Sequence, residues 1–321
     1  MLTRFDELPH AIDPLSEHWR ESWYLNFFDH EQELYGVAWM GVRPNVGHGE
    51  AMFAVGKGNR FLIRFEDFRI PIPADIGGER VAVGPLRFDV IEPYRHWKIT
   101  YESGDDRVEL EWRALTAVYN WEFQRTSRSW HYQHPGTIVG EMTIGGKRYS
   151  FEGYGERDRA WGRRDNSYFN CVHWITAQFP QGRFVHAMHS RHAGGTDMFG
   201  FVQDEGRASL ISDLGLDVAY AYRGGVPVRA NLDIVDREGR RFQFKQEIMN
   251  AIIMGGAAGG AETRLCFTFH RFESDGMRGY GMMDHWWSDF AALGDHYHAT
   301  EPNRGSLYPL DLYGNSALPL R

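Results

Sequence analysis

Apolar and polar residues alternate with period two along most of the chain, the spacing of half-buried β-strands rather than of amphipathic helices. In the first half Trp23, Leu25 and Phe27 alternate, as do Phe61, Ile63 and Phe65. Trp97, Ile99 and Tyr101 follow, then Val108, Leu110 and Trp112, and Ile138, Met142 and Ile144 complete the series. The second half repeats the habit, with Leu232 and Ile234, Phe242 and Phe244, and Leu265, Phe267 and Phe269. Successive strand side chains point to opposite faces, so each set predicts one face carrying the large residues. Glycine with polar neighbours separates the sets at IGGKR (144–148), FPQGR (179–183) and DREGR (236–240), which predicts hairpin loops. Short helices are predicted only over 12–21, opened by Asp13-Pro14, and over 289–297.

Many strands at hairpin spacing, without alternating helices, predict an all-β protein of antiparallel sandwiches or barrels. At 321 residues the chain exceeds the usual single-domain size. Each half supplies enough strands for one barrel of about eight, a size that holds one small ligand. We therefore expect an N-terminal domain over 1–165 and a C-terminal domain over 166–321. The GGAAGG stretch at 255–260 reads as a loop.

Composition narrows the functional classes. The net charge is −8 and no basic tract occurs, which argues against nucleic acid as a partner. No run approaches the roughly 18 apolar residues of a membrane helix. The N-terminal MLTRFDELPHAIDP lacks the apolar core of a signal peptide, and the two cysteines, Cys171 and Cys266, sit in apolar runs as reduced core residues would. A cytoplasmic location is the expectation. The 11 Trp, 15 Tyr and 21 Phe favour β structure and apolar pockets, so the expected partner is a hydrophobic small molecule. A homodimer is compatible with this reading.

Residues 131–165 read HYQHPGTIVGEMTIGGKRYSFEGYGERDRAWGRRD. This segment resembles one shared by tocopherol-cyclase-like and carotenoid 1,2-hydratase-like proteins and their bacterial relatives. The residues that carry the resemblance are His131, Tyr132, Gly136, Gly153, Gly155, Arg157, Asp158, Trp161 and Gly162. Trp174 with Gln178-Phe179, and Gly279-Tyr280-Gly281 followed by Asp284, look like later elements of the same family. The resemblance implies two tandem lipocalin-like barrels with few short helices. It also implies terpenoid, steroid or polyketide-like substrates and hydration, dehydration, cyclisation or isomerisation. Where the family carries D-H-x-W this chain has Asp158-Arg159-Ala160-Trp161. Arginine stays protonated and cannot shuttle a proton, so any acid catalysis must come from another residue.

Asp158 has two readings: a structural anion paired with arginine in a clamp between the two domains, or a general acid kept protonated by an apolar cavity. Histidines cluster between 131 and 192, namely His131, His134, His173, His186, His189 and His192. A neutral imidazole is the natural proton shuttle, although most such residues simply occupy strand faces. His134, His173 and His186 are the preferred candidates among them. Asp284, beside His285-Trp286-Trp287, marks a second acid in the C-terminal half. Trp161, Trp174, Tyr154, Arg157, Arg159, Tyr132 and Trp286 are expected to shape a substrate pocket, with Arg157 orienting Asp158 and indoles facing a developing cation. Most tryptophans are equally accounted for by core packing. His296 and His298 form an H-x-H without a third ligand of convincing spacing, so neither a metal nor any other cofactor is expected. The chain reads as an enzyme, a lyase or an isomerase/cyclase using metal-free acid–base catalysis. Its rivals are a double-lipocalin carrier without chemistry and a scaffold whose cavities are filled by side chains.

Overall fold

The computed structural model describes residues 2–16, 19–72, 76–120, 129–163, 169–192, 195–220, 226–255 and 264–287. The chain divides into two compact units, Met1–Asp165 and Asn166–Arg321. Both are built from antiparallel strands, and the architecture is that of tandem lipocalin-like barrels.

A single turn of 3-10 helix over Arg4–Glu7 precedes the first sheet. Its strands are β1 (Trp19–Asp29), β2 (Leu34–Arg43), β3 (His48–Lys57), β4 (Arg60–Pro71), β5 (Arg80–Val83) and β6 (Leu86–Glu92). They continue with β7 (His96–Ser103), β8 (Asp106–Ala114), β9 (Tyr119–Asn120), β10 (Ser129–Ile144) and β11 (Lys147–Arg163). The ladder runs β4-β3-β2-β1-β11-β10-β8-β7-β6-β5, with β9 paired to β10. First and last strands are therefore neighbours, Trp23 lying opposite Arg159. Among the described residues no ladder joins β4 to β5, so this is an eleven-stranded rolled sheet rather than the closed barrel of about eight that strand counting suggests. It nevertheless encloses one core: Phe53 of β3 stacks on Tyr101 of β7 with ring centroids 4.3 Å apart.

The second unit is a closed barrel in sequence order. Its strands are β12 (Phe169–Gln178), β13 (Phe184–His192), β14 (Gly195–Asp204), β15 (Arg207–Tyr220), β16 (Pro227–Asp236), β17 (Arg241–Gly255), β18 (Arg264–Ser274) and β19 (Met277–Trp287). Every strand contributes to the enclosed cluster that includes Ile175, Ala187, Val202, Leu214, Leu232, Phe244, Phe272 and Met283.

The hairpin at 144–148 turns on Gly145 and Gly146, both with positive φ (55° and 76°), as a tight two-residue loop requires. Among the described residues of 12–21 the expected helix does not form. Asp13 instead closes a turn, its carboxylate accepting from the Leu15 amide at 3.0 Å, and the alternating Trp19, Glu21 and Trp23 enter β1. Pairing along β11 outweighs the start signal of Asp13-Pro14. The segment 289–297, and 256–260 of the glycine-rich stretch, lie outside the described residues.

On β18 the larger side chains take the outer face. Thr268 pairs with Met283, which pairs with Ile175, and the last two belong to the enclosed cluster. Cys266, Thr268 and His270 therefore face the barrel interior, and Leu265, Phe267 and Phe269 face outward. Phe267 and Phe269 are buried all the same, so both faces of β18 are covered and size alone does not mark the inner one.

The motif glycines of β11 permit close approach of β1. A Cβ on Gly155 would sit 2.0 Å from the Asn26 carbonyl oxygen, whereas one on Gly215 would meet nothing nearer than 3.5 Å. Gly155→Ala should therefore destabilise the first unit by about 1–3 kcal/mol or more, and Gly215→Ala should not; urea denaturation of the two variants checks this.

Candidate functional site

The resemblance motif lies on β10 and β11, whose register sets Tyr132 opposite Arg159, Gln133 opposite Asp158 and His134 opposite Arg157. On the other side β1 places Trp23 opposite Arg159 and Tyr24 opposite Asp158. Trp23 belongs to the enclosed core. Arg157, Arg159, Tyr132 and His134 consequently face inward, and Asp158 faces the other way.

Two guanidinium groups on the enclosed face of this sheet demand carboxylates, because an unpaired buried charge is prohibitively costly. The N-terminal segment supplies one. Glu7 accepts from Arg157 Nη2 at 2.8 Å, from the Trp97 indole at 2.5 Å and from the Tyr132 hydroxyl. The Arg157 guanidinium lies 4.0 Å from the Trp97 ring centroid and 4.6 Å from that of Trp112. Arg159 repeats the arrangement one pleat along, stacked 3.8 Å over Trp23 and paired with Glu21 at 2.7 Å. Its other contacts include the Leu8 carbonyl at 2.8 Å. His10 donates its backbone amide to Glu21 and lies flat on Trp161 at 4.1 Å. Burial alone would raise the Glu21 carboxyl, but the Arg159 and His10 contacts more than offset it and hold it below the usual range. Burial, followed by the Glu7 carboxylate, pushes the Tyr132 hydroxyl well above its ordinary value.

His134 is committed at both nitrogens. Nε2 lies 2.7 Å from the Thr116 carbonyl and so donates, which leaves Nδ1 to accept from Arg157 Nη2 at 3.3 Å. Burial, then the adjacent guanidinium, lowers it to about 3. It also borders a rim cleft of about 540 Å³ whose walls include Tyr94, Arg95, His96, Arg113 and Thr116. Ala114, Leu115, Ala117 and Val118 also line it, so polar and apolar walls are mixed, unlike the hydrophobic pocket the sequence suggests.

Asp158 is 8 % exposed, on the opposite face, with one carboxylate oxygen 3.4 Å from His131 Nε2. Gln133 Nε2 approaches the same imidazole nitrogen at 2.9 Å. Arg157 therefore does not orient Asp158, contrary to expectation; the strand pleat turns them apart and His131 occupies the partner's place. Tyr154 shares this outer face, its ring 5.6 Å from that of His30. The arginine–aspartate clamp is likewise replaced: the arginines bind Glu7 and Glu21 within the first unit.

In the second unit the candidates divide again. Trp174 pairs with Asp284 and packs against His186 with centroids 4.6 Å apart, all on the outward face with Trp286. His173 points inward, hydrogen-bonded to the Tyr220 hydroxyl and 4.4 Å from the His285 ring. Burial, then His189 and Arg191, lowers it to about 3. The candidates thus fall on four surfaces rather than in one pocket. Sequence reading missed Glu7, Glu21 and His10 altogether, since nothing in a loop-like N-terminus marks an interior anion. The side chains of His192 and Trp287, and residues 296 and 298, lie outside the described set.

The fold of two lipocalin-like units has counterparts among solved structures. The family model described as a domain of unknown function (DUF7064) matches residues 3–289, and the chain belongs to that family. No curated protein matches it. Similar solved structures include an AttH-type protein of Nitrosomonas europaea (TM-score 0.67, 15% identity, covering 86% of this chain and 93% of that one). Kievitone hydratase from Nectria haematococca has a TM-score of 0.61 at 12% identity, covering 91% of this chain and 94% of its own. CghA has a TM-score of 0.62 at 12% identity, covering 88% and 94%. These likenesses establish the fold. Among the described residues no helix is long and apolar enough to cross a membrane.

Two outcomes follow from the buried charges. Glu7→Ala strands Arg157 and should cost about 3–5 kcal/mol in urea denaturation, a large part of which the double variant with Arg157→Met should recover. His134, His173 and His270 are each held at about 3, against about 6.5 when unfolded. Unfolding then takes up protons between those values, so stability should fall as pH drops from about 6.5 towards 3, by at most about 1.4 kcal/mol per pH unit per histidine. His270→Gln should reduce that slope, measured as ΔG of unfolding against pH.

Proposed function

We propose that this chain is an enzyme that acts on a hydrophobic small molecule by acid–base catalysis at Asp158 and His131, as a hydratase or dehydratase, cyclase or isomerase. The observation that carries the reading is the buried carboxyl–imidazole pair, 3.4 Å apart, on the two strands that bear the resemblance motif. Kievitone hydratase and CghA share the fold, and the first is by name a hydratase. The kinship with tocopherol-cyclase-like and carotenoid hydratase-like proteins forms part of this proposal, as do terpenoid, steroid or polyketide-like substrates.

The pair has the parts that water addition needs. Asp158 in its acid form gives its proton to one alkene carbon, breaking its O–H bond as the new C–H bond forms. Water adds to the carbon left cationic and sheds a proton to His131 Nε2, which returns it to the Asp158 carboxylate. The alkene gains one water and the pair is restored; the reverse sequence is dehydration. A proton passed between two carbons of the substrate instead gives isomerisation. Gln133 can serve either state of the imidazole, since turning its amide exchanges a donor for an acceptor. His131 thereby fills the shuttle role closed to Arg159.

Incubation with a panel of polyene terpenoids, steroid enones and aromatic polyketides, followed by mass spectrometry, is the direct test. Asp158→Asn should lower turnover by about 10²–10⁴-fold with the melting temperature nearly unchanged. A panel member bound and recovered unaltered by the wild type would favour the carrier, and an Asp158→Asn protein that unfolds would favour a structural anion.

A further inference from the structure

The C-terminal barrel holds a second group of reactive side chains that the acid–base reading leaves unused. On β12 the inward face runs Cys171, His173, Ile175, Ala177, and on β19 it includes His285 and Met283. The lining is apolar at one end and changes at the other to a thiol and imidazoles. Cys171 and His173 are two residues apart on one strand, so their side chains emerge on the same side. His285 is the direct cross-strand partner of His173. One donor atom from each of Cys171, His173 and His285 lies within 4.8 Å of the others, and all three residues are buried.

We propose that Cys171, His173 and His285 form a three-ligand site for a borderline-soft divalent transition ion, zinc above all, inside the C-terminal barrel. A tetrahedral ion with bonds of about 2.3 Å to sulfur and 2.0–2.1 Å to nitrogen sets its donors roughly 3.3–3.7 Å apart. Small side-chain rotations from the observed spacing achieve that. His173 Nε2 is engaged with Tyr220, while Nδ1 has no hydrogen-bond partner among the described residues. With Nδ1 on the ion, Nε2–H donates to the Tyr220 oxygen, the outer contact that fixes the tautomer of a ligating histidine. Desolvation keeps His173 and His285 neutral, the form that ligates. Binding converts the Cys171 thiol to a thiolate, releasing one proton and leaving a net single positive charge on the site. Three protein ligands leave the fourth position to water, as in open zinc sites. The sulfur–nitrogen donor set excludes magnesium and calcium, which require oxygen.

A disulfide is not an alternative use of the thiols. Cys266 pairs with His285 on β19, which separates it from β12, so the two cysteines lie two strands, about 9–10 Å, apart. Disulfides require Cα atoms within about 7 Å, and no disulfide joins Cys171 to Cys266.

The test uses the full chain, reduced, stripped with chelator and titrated with Co²⁺ alone. One equivalent should bind with a sulfur-to-cobalt charge-transfer band and the visible bands of a tetrahedral ion. Zn²⁺ should displace it and Mg²⁺ should not. Cys171→Ser should abolish the charge-transfer band, and His285→Gln and His173→Gln should weaken binding by at least about 100-fold, beyond the 10–100-fold that outer-contact losses cause. Cys266→Ser should keep the band. Asp158→Asn should bind cobalt normally, so the site can fail or stand independently of the acid–base reading. No charge-transfer band in wild-type protein with a native circular dichroism spectrum would overturn the proposal. So would a band or affinity unchanged by Cys171→Ser and, should that variant misfold, by His285→Gln.

Discussion

Two arginine side chains enclosed by indoles set the terms for the first unit. A guanidinium cannot give up its charge, so Arg157 and Arg159 can enter the sheet only if each finds an anion there. Glu21 comes from β1, the strand paired directly to β11. Glu7 comes from outside the sheet, and the segment that brings it is fastened by the Leu8 carbonyl on Arg159 and by His10 on Trp161. The tryptophans that would line an open cavity are thereby occupied: Trp97 and Trp112 both pack against one cation and Trp23 covers the other. The inner face of the motif strand is a polar core with an aromatic wrapping, and chemistry on that strand falls to the residue facing the other way.

The pleat makes that division strict. Arg157, Asp158 and Arg159 are adjacent in sequence, yet the outer two serve an enclosed ion-pair network and the middle one meets His131. The second barrel sorts its residues in the same manner, with His173 and His285 inward and Trp174, His186 and Asp284 outward. Proximity in sequence is thus a poor guide to shared chemistry in an all-β chain, whereas separation by two is a good one.

Period-two alternation carried the class of fold and most of the strands, because half-buried strands impose that spacing whatever they pair with. It named two faces without saying which is inside, and on β18 the bulkier set turned out to face outward because both sides are covered. The Asp13-Pro14 start signal misled because pairing along β11 is worth more than a cap. Glu7 was invisible, lying 150 residues from the arginine it neutralises. The pairing of Asp158 with His131 was partly legible, as both residues stand in the resemblance motif; their contact depends on a register that only the folded sheet supplies. Cys171 and His173 share a face by spacing alone, while His285 joins them only through the closure of β12 on β19.

The neighbouring of β1 and β11 bears on the order in which this unit is assembled. Strands β1 to β4 can zip up as hairpins, as can β5 to β8, but the seam at β1 and β11 joins the beginning of the domain to its end. Loop closure over such a span is entropically slow, and non-local pairing of this kind places a protein among the slow folders. Until the seam closes, Arg157, Arg159 and the exposed edge of β1 have neither anions nor a partner strand. The interval before closure is therefore when this unit is most open to mispairing with another chain.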